Sequence, residues 1–251
     1  MPQAIARKSR AVSSRRRCGC RVTQDELTPA QQQAEAAIYS AISILLSGVP
    51  YVGALWSEIR SYRAQEVMES RLSHMNRELI RQMEGVREEA VNQEYLNSEA
   101  FFDFIGKAVG TVLRTRDREK ATYIASILKG AILSPNQENH LAEDLAEEYL
   151  YLVSDLTPQE LRVARTLYNL QKGQKDIDLT QRMETWNLER DDLLREHSLN
   201  SSELPLILNR LTSTGAVDIV FPSVPYSGAM EPIYWVSAPF NKLMRFLESE
   251  T

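Results

Sequence analysis

The pattern of apolar and polar positions changes character several times along the chain. Residues 1–22 show no apolar periodicity, as expected of a disordered segment. Thr28-Pro29 opens a helix expected to run towards Leu46. Residues 36–57 then carry no charge for 22 positions and are broken by Gly48, Pro50 and Gly53. Beyond the break, Leu55, Ile59, Tyr62, Met68, Leu72, Met75, Leu79, Met83 and Val86 recur by threes and fours. This spacing predicts one long helix over 51–86, roughly 50 Å long at about 1.5 Å per residue. A helix longer than a small domain needs a second long helix, a bridging role or another copy of the chain beside it. The Arg and Glu residues between its apolar positions read as a solvated face.

Asn97-Ser98-Glu99 starts a further helix with Phe101, Phe102, Phe104, Ile105, Ala108 and Val112 as its core face. The mixed charges of 114–120 read as a helix junction. Tyr123, Ile124, Ile127, Leu128, Ala131 and Ile132 mark the next helix, stopped by Ser134-Pro135. Residues 141–153 are the last helix of this bundle. Glu143, Asp144, Glu147 and Glu148 form its solvated side. A di-metal site in a bundle needs Glu-x-x-His on two helices, and Glu138-Asn139-His140 does not supply it.

The last third has its own order. Thr157 can cap a helix, Pro158 suits its first position and Glu160 completes a capping box. Leu161, Ala164, Leu167, Tyr168 and Leu170 follow at helical spacing up to Gly173. After a polar insert over 171–183, Asn187 can cap a short helix with Leu188, Leu193 and Leu194. Ser201 or Ser202 can cap a third helix, whose apolar stripe is Leu204, Ile207, Leu208 and Leu211, with Gly215 past its end. Residues 217–221 and 233–236 are β-branched and aromatic, so they read as strands joined by the proline-rich loop 222–232. Phe240, Leu243, Met244 and Leu247 then mark a closing helix.

Three helices, strand, loop, strand and helix, with Leu208-Asn209-Arg210-Leu211 leading to Gly215-Ala216-Val217, resemble the winged-helix superfamily. The resemblance implies a third helix that enters the DNA major groove. Charge argues against that use. Phosphate contacts need Lys and Arg, and Arg is the commonest reader of guanine. From 211 to 241 there is neither, and the third helix offers only Arg210. Residues 156–251 carry 10 basic and 13 acidic side chains. Protein contact is therefore the preferred reading. Its candidate surface is Ser202, Glu203, Asn209 and Arg210 on the third helix, with Val224, Tyr226 and Met230 on the wing.

Composition sharpens the picture. The chain has 251 residues, is 43% hydrophobic and 25% charged, and has a formal net charge of −5. The first 22 residues hold seven cations and no acid: Arg7, Lys8, Arg10, Arg15, Arg16, Arg17 and Arg21. The remainder therefore stands at −12 and is no general polyanion binder. The tail suits a nucleic-acid or lipid arm, a transit segment or an idle extension. Cys18 and Cys20 lie within it, too close for a good disulfide and at most half a metal site. The uncharged stretch is long enough to span a bilayer, but its central breakers favour a helical hairpin. A membrane-dipping hairpin using Leu45, Leu46, Val49, Tyr51, Val52 and Trp56 is the alternative.

No phosphate-binding glycine loop or nucleophile elbow occurs, and both cysteines are in the tail. His74, His140 and His197 sit in separate elements and read as exposed helix residues. No cofactor, metal site or enzymatic activity is expected. The middle of the chain has a second resemblance. It is carried by the apolar turn at 45–53, by Ser98-Glu99-Ala100-Phe101-Phe102-Asp103-Phe104, by Lys120-Ala121-Thr122-Tyr123-Ile124, and by Leu156-Thr157-Pro158-Gln159-Glu160-Leu161. Over 30–170 it resembles bacterial helical proteins such as the abortive-infection alpha group. That resemblance implies a bacterial cytoplasmic protein of stress or phage defence. The basic tail and the full wing depart from that group.

The expected protein is mainly α: a disordered basic tail over 1–27, a helical bundle with a hairpin and one long helix over 28–155, and a winged-helix domain over 156–251. Its expected function is non-enzymatic interaction or regulation, with self-association through 51–86 or a protein partner. A DNA-binding regulator that uses the tail as its arm, and a membrane effector that inserts 36–57, are the alternatives.

Overall fold

The computed structural model describes residues 62–84, 86–174, 179–221 and 232–249. The basic tail, the hairpin expected at 36–57, the first part of the expected long helix and most of the segment between the strands lie outside the described residues. In chain order the helices are α1 (Tyr62–Met83), α2 (Gln93–Leu96), α3 (Glu99–Arg114), α4 (Arg118–Ile132), α5 (Glu143–Asp155), α6 (Pro158–Gln171), α7 (Leu179–Glu196) and α8 (Glu203–Ser213). The strands β1 (Val217–Val220) and β2 (Ile233–Val236) follow, then α9 (Ala238–Ser249).

Local chemistry accounts for most boundaries. Ser98 caps α3 by accepting from the Phe101 amide, and Asp117 caps α4 by accepting from the Glu119 and Lys120 amides. The Thr157–Glu160 capping box opens α6 as the spacing predicts. Along α1, Met75, Leu79 and Met83 are buried, and α1 packs mainly along α4. Phe101 and Phe104 are buried in α3, while Phe102 is half-buried at the margin. An isolated antiparallel bridge, Val91 with Leu133, ties the segment after α1 to the end of α4.

The strands pair antiparallel, Val217 with Val236 and Val220 with Ile233. The side chain of Gln171 extends the sheet edge: its amide oxygen accepts from the Val236 amide at 2.9 Å, and its nitrogen donates to the Tyr234 carbonyl at 3.1 Å. One buried apolar cluster runs from Met75 to Leu247. Helix α9 closes it by packing on α5 and α6, with the Phe246 ring 6.1 Å from that of Tyr149. Gly130 lies where α4 and α9 approach. A Cβ there would stand 2.8 Å from Leu141 Cγ and 2.8 Å from Phe246 Cζ. Gly130→Ala is therefore expected to lower stability by about 1–3 kcal/mol, the usual cost of overpacking, read as a lower urea midpoint at unchanged slope.

Two expected boundaries are corrected. Asn187 does not start a helix; it lies inside α7, which runs unbroken from Leu179. The inner face of α7 is Arg182, Trp186, Glu189 and Leu193, all buried, so half of its core stripe is charged and escapes an apolar pattern. Neither Ser201 nor Ser202 caps α8. Asn200 does, accepting from the Ser202 amide at 3.0 Å and the Glu203 amide at 2.9 Å. Glu203 returns the bond to the Asn200 amide at 2.9 Å.

Candidate interaction surface

Helix α8 turns Leu204, Leu208 and Leu211 inward and buries them. The spacing leaves Glu203, Leu206, Asn209, Arg210 and Ser213 on the outer side, and all are exposed. Leu206 is 67% exposed, and Phe221, just past β1, is 68% exposed. Of the sequence-derived candidates, Ser202, Glu203, Asn209 and Arg210 thus lie at the start and along the outside of α8. Val224, Tyr226 and Met230 lie outside the described residues, as do the cationic tail and the six hairpin positions.

The charges on this face are already engaged. Arg210 Nε sits 2.7 Å from Glu160 Oε1, with the arginine side chain 60% exposed and the glutamate 6% exposed. The other oxygen of Glu160 accepts from the Thr157 amide at 2.7 Å. Glu160 therefore closes the cap of α6 and holds the single cation of α8 against that cap. Asn209 accepts from the Tyr234 hydroxyl at 3.1 Å, which fixes α8 against β2. The face is thus polar and apolar, with its one guanidinium tied to a carboxylate.

Behind this face lies a polar cluster that the sequence did not reveal. Arg182 and Glu189 form a two-pronged pair at 2.7 and 2.9 Å, with their side chains 6% and 4% exposed. Arg182 also donates to the Tyr234 carbonyl at 3.0 Å and stacks 4.2 Å over the Trp235 ring. Gln171 and Gln174 donate to the two oxygens of Glu189. Such a fork matches carboxylate geometry and ring faces together. The cluster fixes α6, α7 and β2 to one another. It is a clamp rather than a reaction site, because it is sealed from solvent. The only signal of it in the sequence is the 4-3-4 spacing of 182, 186, 189 and 193.

Lys120 is a second residue that sequence reading missed. It is 5% exposed, and Nζ donates to the carbonyls of Ser154 and Leu156 at 2.8 and 2.7 Å. It thereby satisfies the C-terminal end of α5 where the chain turns into α6. Burial pushes its ammonium below the usual lysine range, against the pull of Asp155, Asp117 and Glu160.

The histidines are half-buried, which corrects their expected exposure. His140 bonds the Leu133 carbonyl through Nδ1 at 2.8 Å. His197 Nε2 lies 3.0 Å from the Thr166 hydroxyl, which donates to Glu196 at 3.1 Å. Burial holds His197 below its ordinary value of 6.5; Glu196 opposes this shift and Arg162 adds to it. Between the lowered folded value and 6.5 the unfolded chain binds the extra proton, so stability falls as pH drops through that window. The loss is complete below the folded value and absent above 6.5. Urea midpoints of the wild type and His197→Gln should therefore converge on acidification from about pH 7 to about pH 5, because the variant lacks this loss.

Among the described residues, no group of three or more His, Cys, Asp or Glu side chains could hold a metal ion. Among the same residues, no helix is long and apolar enough to cross a membrane. The chain matches no family model, no curated protein and no solved structure.

Proposed function

We propose that this chain is a non-enzymatic interaction protein whose C-terminal third is a winged-helix docking module for a protein partner. The observation that carries this reading is the state of Arg210. In a duplex binder the third helix needs cations free for phosphates and bases. Here its one cation is drawn to Glu160 through Nε, and the neighbouring exposed groups are Leu206 and Asn209. An exposed leucine beside polar groups suits the apolar centre and polar rim of a protein interface. The helix order and the antiparallel strand pair support the winged-helix reading. The resemblance over 30–170 supplies the proposed setting, a bacterial response to stress or phage.

The test is a photo-crosslinking amino acid placed at 206, and separately at 188, in the full chain inside the cells that make it. Leu188 is 69% exposed on α7, so it controls for exposure alone. A discrete protein adduct from 206 and none from 188 is the expected result. Equal adducts from both positions, or a nucleic-acid adduct from 206, would overturn the proposal.

A further inference from the structure

A cleft of about 340 Å³ opens between α1 and the connection from α3 to α4. Four guanidiniums and one imidazole line it: Arg71, His74 and Arg77 from α1, and Arg116 and Arg118 from the connection. The three α1 residues recur every third position, so they share one side of that helix. Val67, Val112 and Ala121 supply an apolar wall.

The charge balance of this cleft is positive. Its two acids are Glu66 and Asp117. Asp117 is already paired with Arg162 at 3.0 Å and accepts from the Glu119 and Lys120 amides. Among the described residues, no carboxylate pairs with Arg71, Arg77, Arg116 or Arg118. Arg71 donates to the Leu113 carbonyl, which anchors its guanidinium beside the connection. Arg77 donates to the Ser73 carbonyl at 3.3 Å. His74 Nε2 is shielded from solvent and has no protein partner. Unpaired guanidiniums held together in a concave site are the usual receptor for phosphate oxygens, which they bind two at a time.

We propose that this cleft binds a small phosphate-bearing molecule of nucleotide size. The arginines hold the phosphate, and the Val67–Val112–Ala121 wall covers the less polar part. A cleft of a few hundred Å³ is the common size for such ligands. This site is separate from the α8 face and does not depend on the docking role.

The test is isothermal titration of the full chain with three probes: ATP, inorganic phosphate and adenosine. ATP should bind, phosphate should bind more weakly, and adenosine should not bind measurably. Arg116→Gln, at an exposed position with no partner to lose, should weaken ATP about tenfold, the loss of one charge-assisted pair. Adding Arg71→Gln should weaken it further. Arg114→Gln, just outside the cleft, should change nothing. Retained ATP affinity in both Arg116→Gln and Arg77→Gln would overturn the proposal. Absence of ATP and phosphate binding in the wild type would overturn it outright. So would binding confined to polymeric nucleic acid.

Discussion

Glu189→Ala is expected to lower stability by about 3–5 kcal/mol, the cost of leaving a buried partner charge unpaired. Arg182 would then sit in the interior facing Gln174, the Tyr234 carbonyl and the Trp235 ring, with no anion. Its Nε already lacks a partner, so the site has no spare acceptor to offer. The double variant Arg182→Met with Glu189→Leu should lose much less than the two single variants together, because it removes both charges and keeps the volume. Guanidinium or urea unfolding of the wild type, Arg182→Met, Glu189→Leu and the double variant measures this coupling. Equal and additive losses would mean that the pair is only packing. The loss should also loosen β2, because Gln171 is held in place by Glu189 while it bonds the edge of that strand.

Lys120→Met should cost about 2–4 kcal/mol. It would leave the carbonyls of Ser154 and Leu156 without donors, and an orphaned buried acceptor costs about 1–3 kcal/mol. The Ser154 carbonyl is the less buried of the two, and methionine relieves the burial of a charge, so the sum is not reached in full. Thermal unfolding checks the magnitude. Amide exchange should locate the loss at the junction of α5 and α6, and an unchanged rate there would contradict the role assigned to Lys120.

These two sites show where sequence reading fails. The apolar frame was legible: Met75, Leu79 and Met83 in α1, Leu204, Leu208 and Leu211 in α8, and Phe240, Leu243, Met244 and Leu247 in α9 are buried where their spacing put them. The Thr157–Glu160 cap was legible because all of its parts lie within four residues. Lys120 was not, because it sits at the end of a charged run and its partners come 34 and 36 positions later. Nor was α7, because a buried ion pair replaces two of the apolar positions that would have announced it. At the start of α8 the two serines resembled caps, but Asn200 lies earlier and its longer side chain reaches both orphan amides. The cationic cleft was hidden for the same reason as Lys120. Arg71 and Arg77 read as part of a solvated face until Arg116 and Arg118, some 40 residues on, are brought beside them.

The candidate interaction face was half legible. The apolar stripe of α8 excludes Leu206 from the core, and the absence of Lys and Arg from 211 to 241 is plain in the sequence. The pairing of Arg210 with Glu160 required the fold. It ties the one cation of that helix to a carboxylate through Nε.

The most direct test of this reading is fluorescence anisotropy of labelled random duplex DNA with the full chain and with a chain lacking residues 1–22, at low and at moderate salt. The account predicts weak, salt-sensitive binding by the full chain at most, and none once the seven tail cations are removed. Tight binding that survives removal of the tail and is lost in Arg210→Ala would contradict it and make α8 a DNA-reading helix.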